Sequence, residues 1–138
     1  MKLAALSILI MALVLTPLAS GEDPSGGWLG KAISFYSNES YDLALLYVNK
    51  SLDIDPAYPD AWNLKGYILS DLGRFGEALI CFNRSLEIDP QDPYIWYSKG
   101  FVLYGMGIDE EAMEAYDRAI ELNSSDPDLW RARGLALY

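Results

Sequence analysis

Apolar and small residues recur along this chain on two scales. Over short distances they fall at three- and four-residue steps. Trp62, Gly66, Leu69 and Gly73 make one stripe and Ala78, Phe82, Ser85 and Leu86 a second, each the face of a helix. Over longer distances the pair of stripes returns after 34 residues. Pro59, Trp62, Lys65, Gly66, Leu69, Gly73 and Ala78 come back as Pro93, Trp96, Lys99, Gly100, Leu103, Gly107 and Ala112. Phe82 returns as Tyr116, and Leu86 as Ile120. A further start stands at Pro127, Trp130, Arg133, Gly134 and Leu137. Counting back from Pro59 reaches Ser25, with Trp28 and Ala44 in the tryptophan and alanine places and Ala32 in place of the glycine. A period of this length predicts stacked helical hairpins.

The punctuation agrees. Asp89-Pro90 ends a second helix, because proline lacks an N–H and clashes with the preceding turn. Pro59, Pro93 and Pro127 open first helices, where the missing N–H costs nothing, and Asp92 and Asp126 are good N-caps. Seven helices are expected, near residues 27–37, 41–53, 59–72, 76–88, 93–106, 110–122 and 127–138.

Residues 1–21 read as a secretory signal: Lys2, an apolar run to Leu15, a break at Thr16-Pro17, then small Ala19, Ser20 and Gly21. An uncleaved membrane anchor is the alternative, although the run is short for a span of about 20 residues. Residues 22–27 read as a polar linker and residues 25–138 as the array, divided into 25–58, 59–92, 93–126 and a partial copy, 127–138.

Charge and composition narrow the functions. The formal net charge is -10, which opposes nucleic acid, whose binding rests on Lys and Arg neutralising phosphates, and anionic lipid. There is no histidine, so Ser or Cys lacks its usual base, and no nucleophile–base pair assembles. Asp53 and Asp55 lead into Pro56 without the remaining ligands of a calcium loop. No phosphate-cradling loop is present. The chain is read as no enzyme, with no cofactor, no metal and no small-molecule substrate. Cys81, the single cysteine, is expected to be a buried, inert thiol.

The order Trp62, Gly66, Ala78, Phe82, Pro90, repeated in Trp96, Gly100, Ala112 and Tyr116, resembles the tetratricopeptide repeat. The resemblance covers residues 25–138. It implies an all-α fold: a helical-hairpin solenoid of three repeats plus a C-terminal half-repeat helix, with first helices lining a concave groove that binds peptides or partner domains. Gly66, Gly100 and Gly134 are expected to oppose Ala78 and Ala112 where helices approach closely. Lys31, Lys65, Lys99 and Arg133 occupy a place where the family often has Leu, and read as a solvated edge. Ser124 replaces a proline, which predicts a looser turn there.

The face opposite the tryptophans supplies the candidate site. It holds Leu29, Ile33 and Tyr36 in the first copy, and Asp60, Asn63, Tyr67 and Ser70 in the second. The third copy places Tyr94, Tyr97, Phe101 and Tyr104 there, and the last helix Asp128, Arg131, Leu135 and Tyr138. Partner binding is assigned to Asn63, Tyr67, Tyr94, Tyr97, Phe101, Tyr104 and Arg131, with Phe101 expected to be partly core. The clamp of Lys, Asn and Arg by which some family members hold acidic C-terminal peptides is absent from Leu29, Ile33, Asn63, Tyr67, Tyr97 and Phe101. The expected function is a protein-interaction scaffold acting outside the cytoplasm, secreted or in the cell envelope. It would contact a membrane only through an uncleaved leader. The alternative is a self-assembling envelope component, joined through the C-terminal helix, or a membrane-anchored assembly factor. If sugar is attached, Asn38 and Asn123 in turns are the expected acceptors rather than Asn49 and Asn83 within helices.

Overall fold

A computed structural model describes residues 23–137. The expected leader and Tyr138 lie outside these residues. Seven helices form among them: α1 Pro24–Ser37, α2 Tyr41–Ile54, α3 Pro59–Asp71, α4 Phe75–Ile88, α5 Pro93–Gly105, α6 Asp109–Leu122 and α7 Pro127–Leu135. The fold is the expected all-α solenoid. Each first helix packs on the second helix of its own copy, and each second helix packs on the next first helix. The first helices α1, α3 and α5 also touch in sequence, forming an inner layer behind which α2, α4 and α6 stand.

Helix ends follow from local chemistry. Asp92 and Asp126 accept the backbone N–H of Tyr94 at 2.8 Å and of Asp128 at 2.9 Å. Asp23 does the same for Ser25 and Gly26, at 3.0 and 2.9 Å, ahead of Pro24. Helix α1 therefore starts at Pro24 rather than residue 27, and most of the expected linker is helical. The Asp-Pro pair is the same start device as in the third and fourth copies, set one residue early. Gly73 and Gly107 close the hairpins with φ of 72° and 75°, letting the N–H of Arg74 and Ile108 reach the carbonyls of Leu69 and Leu103. In the first copy Glu39 holds this left-handed position, with φ of 57°.

Residues from adjacent copies share the core. Leu29, Ala32, Val48, Ala61, Leu64 and Ile68 cluster where the first copy meets the second. Leu29 is therefore core and not groove, because α3 stacks over it. Cys81 is buried beside Phe82.

The glycines do not face the alanines expected for them. A Cβ on Gly66 would lie 2.6 Å from Cε1 of Phe82, and one on Gly100 would lie 2.8 Å from Cε1 of Tyr116. The aromatic ring of each second helix rests on the bare backbone of its first helix. The first copy places Ala32 and Val48 in these two positions, adding volume on one side and removing it on the other. Serine adds a polar stitch: Ser51 Oγ donates to the carbonyl of Ser25 at 2.8 Å, and Ser85 Oγ to that of Pro59 at 2.9 Å.

Gly66→Ala should lower stability by about 1–3 kcal/mol, since the ring must shift. Gly134→Ala, with nothing within 4 Å of the new Cβ, should be neutral or stabilise by up to about 1 kcal/mol through helix propensity. Urea melts of both variants read the difference; equal losses would contradict the ring-on-glycine contact.

Candidate functional site

The inner layer carries two adjoining pits. The first, about 190 Å³, opens between α3 and α5. Its walls are Tyr67, Phe82, Tyr97 and Phe101, with Ser70 and Asp71 at the end of α3. The second, about 260 Å³, opens between α5 and α7, with Tyr97, Phe101, Tyr104 and Tyr116 on one side and Asp128, Arg131 and Leu135 on the other. Tyr97 and Phe101 stand between the two and line both.

These walls are held in place. Tyr67 meets Phe82 edge-on, centroids 5.5 Å apart. Its hydroxyl accepts from Ser98 Oγ at 3.0 Å. Tyr97 tilts against Tyr116 at 5.9 Å and packs on the core beneath. Phe101 remains 49% exposed and Tyr104 43%. The expectation for α5 is thus reversed: Tyr97 is the ring that belongs partly to the core, and Phe101 is the one presented to solvent.

Of the seven residues assigned to binding, Tyr67, Tyr97, Phe101, Tyr104 and Arg131 come together in the pits. Tyr94 and Asn63 do not line them. Tyr94 reaches along the array and donates its hydroxyl to Asp126, the N-cap of α7, at 3.0 Å. That bond, and the carboxylate charge behind it, push the Tyr94 phenol above its ordinary value, so it ionises less readily. Asn63 is half-buried, and its Oδ1 is buried without a hydrogen-bond partner. Arg131 pairs with Asp128 at 2.7 Å, one turn back on α7. Sequence reasoning missed Asp71 and Tyr116. Tyr36 donates to Asp71 Oδ2 at 2.8 Å, and burial first, then Asp71, raises the Tyr36 phenol.

The opposite edge is built differently. The indole N–H of Trp62, Trp96 and Trp130 donates to the carbonyl six residues earlier, on Pro56, Pro90 and Ser124, at 2.8, 2.8 and 2.9 Å. Because the acceptor is backbone, Ser124 serves as well as proline, and the expected loosening does not occur at this bond. Lys31, Lys65 and Lys99 lie over Trp28, Trp62 and Trp96 at 4.6, 5.6 and 5.3 Å from the ring centre. Arg133 instead pairs with Asp117 on α6. The outer cleft at Trp96 holds Lys99 and Arg118 beside Glu111 and Glu114, charges that offset one another. The inner face, with six aromatic rings around the two pits, is the stronger candidate.

A family model described as "TPR repeat" matches residues 66–107 and 109–138, more than half of the chain, and one described as "Tetratricopeptide repeat" matches residues 47–80. The chain belongs to the tetratricopeptide repeat family, whose arrays are protein-interaction scaffolds. No curated protein matches the sequence. Among solved structures, the first TPR of Spaghetti (RPAP3), bound to HSP90 peptide SRMEEVD, is 19% identical over 81% of this chain and 89% of its own, with a TM-score of 0.79. The Arabidopsis OM64 TPR domain is 14% identical over 81% and 93%, with a TM-score of 0.78. The Sgt2 TPR domain from Aspergillus fumigatus is 20% identical over 83% and 78%, with a TM-score of 0.78. At these identities the likeness is one of fold.

Burial pushes the Cys81 thiol from an ordinary 9.0 up to about 11 and the Tyr116 phenol from 10.0 up to about 12. Both groups fold best when protonated. Their contribution is full below the ordinary values and is lost as pH rises through the folded ones. Stability should hold to about pH 9 and then fall toward pH 12, on the order of 2 kcal/mol for each group. Cys81→Ala should remove the part of the loss that begins near pH 9, and Tyr116→Phe, the ring of the preceding copy, part of the loss between about pH 10 and 12, where the raised Tyr36 and Tyr94 phenols also contribute. Melts taken across this range decide it; an unchanged profile in both variants would contradict the assignment.

Proposed function

We propose that this protein is an extracytoplasmic interaction module that holds an extended peptide, or an extended segment of a partner domain, against its inner face. The observation that carries the reading is the pair of adjoining pits sharing Tyr97 and Phe101. Successive pockets divided by an exposed ring suit successive side chains of one extended strand. Aromatic walls give large contact area at small entropic cost. The bound HSP90 peptide of the Spaghetti structure is a precedent for peptide binding on this fold. The chemistry here differs, since Leu29 is in the core and Tyr67, Tyr97 and Phe101 present rings in place of a clamp. Action outside the cytoplasm rests on the signal-like residues 1–21; among the described residues no helix is long and apolar enough to cross a membrane.

Phe101→Ala combined with Tyr104→Ala should abolish capture of the partner from the native cell envelope while leaving helicity and melting nearly unchanged, because both rings are about half-exposed. Unfolding of the double variant would return the rings to the core, and surviving capture would move the site elsewhere. A captured partner confined to the cytoplasm would overturn the localisation.

A second reading, self-association through α7, has its own observation. Leu137 is 59% exposed, whereas Leu69 and Leu103 in the same place are 2% and 0% exposed. Trp130, on α7, is 51% exposed. Deleting residues 135–138 should reduce the mass measured by light scattering if copies join here; an unchanged mass removes the reading.

A further inference from the structure

We infer that the pit between α3 and α5 receives a cationic side chain, arginine or lysine, from the peptide on the inner face, and that the neighbouring pit receives an apolar one. The inference rests on the inner face being the binding surface and names the chemistry of its ligand.

Four observations converge on the cation. The first pit is walled by the rings of Tyr67, Phe82, Tyr97 and Phe101, and aromatic faces attract a cation that has shed its water. Asp71 stands at the rim. Its one hydrogen bond among the described residues comes from Tyr36, which leaves acceptor sites on both carboxylate oxygens. It belongs to none of the ion pairs formed there. Asp71 is also the last residue of α3, where unpaired carbonyls give a helix its negative end, and neither α3 nor α5 carries a basic residue in its last turn.

Among the described residues the cations are engaged elsewhere, Lys50 over Trp28 included. Lys31, Lys65 and Lys99 lie over tryptophans on the other edge. Arg74, Arg84, Arg118 and Arg133 pair with Glu77, Glu87, Glu121 and Asp117. Arg131 is the cation on the inner face, and it closes on Asp128 at the second pit. That second pit is therefore charge-balanced and lined by rings and Leu135, fit for an apolar group. The net charge of -10 adds a long-range pull on a basic ligand. An acidic ligand meets the reverse of all these terms.

The test uses the full chain and three fluorescein-labelled, end-blocked peptide pools, randomised except for a fixed central Arg, Leu or Glu, read by fluorescence anisotropy. The Arg pool should bind tightest, by about tenfold over the Glu pool. Asp71→Asn should weaken the Arg pool by about fivefold and leave the Leu pool unchanged. Asp53→Asn, the same charge change at an exposed position of α2, should do neither. Arg preference that Asp71→Asn and Asp53→Asn reduce equally would overturn the inference, since only the net charge would be at work. Leu or Glu pools binding as tightly as Arg, with binding still lost in Phe101→Ala, would overturn the cation but keep the inner face. Binding by no pool, or binding indifferent to Phe101→Ala, would overturn both. Tyr104→Ala, checked alongside by its melt, replaces Phe101→Ala if the latter fails to fold.

Discussion

The contact on which the rest of the molecule depends is a ring lying on a bare backbone. Phe82 rests against Gly66, and Tyr116 against Gly100, so closely that a single methyl group would collide. Removing the side chain from one helix lets the other approach, and the ring fills the space thus made. Dispersion falls steeply with distance, so the gain comes only when the fit is close. Once the hairpin angle is set in this way, stacking repeats it, and the inner layer of first helices follows. Gly134 has the same place on α7 and no ring against it.

The two edges of the first helices then do different work. The tryptophan edge is self-satisfied at Trp62 and Trp96: their indole N–H groups are bonded to backbone, and Lys65 and Lys99 sit over the rings. The inner edge is less complete. Phe101 and Tyr104 are about half-exposed, and Asp71 keeps acceptor capacity. Large rings left in water beside preorganised walls cost little to desolvate and little ordering entropy on binding. That asymmetry is the ground for proposing recognition on the inner face.

Repetition also permits variation. Ser51 and Ser85 stitch second helices to first ones, yet Ala119 fills the same place in the third copy. Glu39 adopts the left-handed turn that Gly73 and Gly107 adopt without strain. Ala32 with Val48 does the work of glycine with a ring. Each departure is local, because a repeat contacts only its neighbours and a loss in one copy is not transmitted far.

The 34-residue period made the helix number, the hairpin pairing and the buried glycine and alanine places legible, since every copy must bury the same stripe against the next. Proline and aspartate marked the starts, because their backbone chemistry is local. The inner face was legible as a direction but not in detail. Residues 29, 63, 97 and 131 hold one repeat position, yet Leu29 is core, Asn63 and Tyr97 are half-buried and Arg131 is exposed. Periodicity assigns a position to a face; the elements stacked above and below decide how far it is covered. The ring left exposed on α5, the partner that Tyr94 finds 32 residues away and the placing of Asp71 at the rim of a pit came only with the tertiary structure. Each depends on contacts between copies, which no stripe along a single helix encodes.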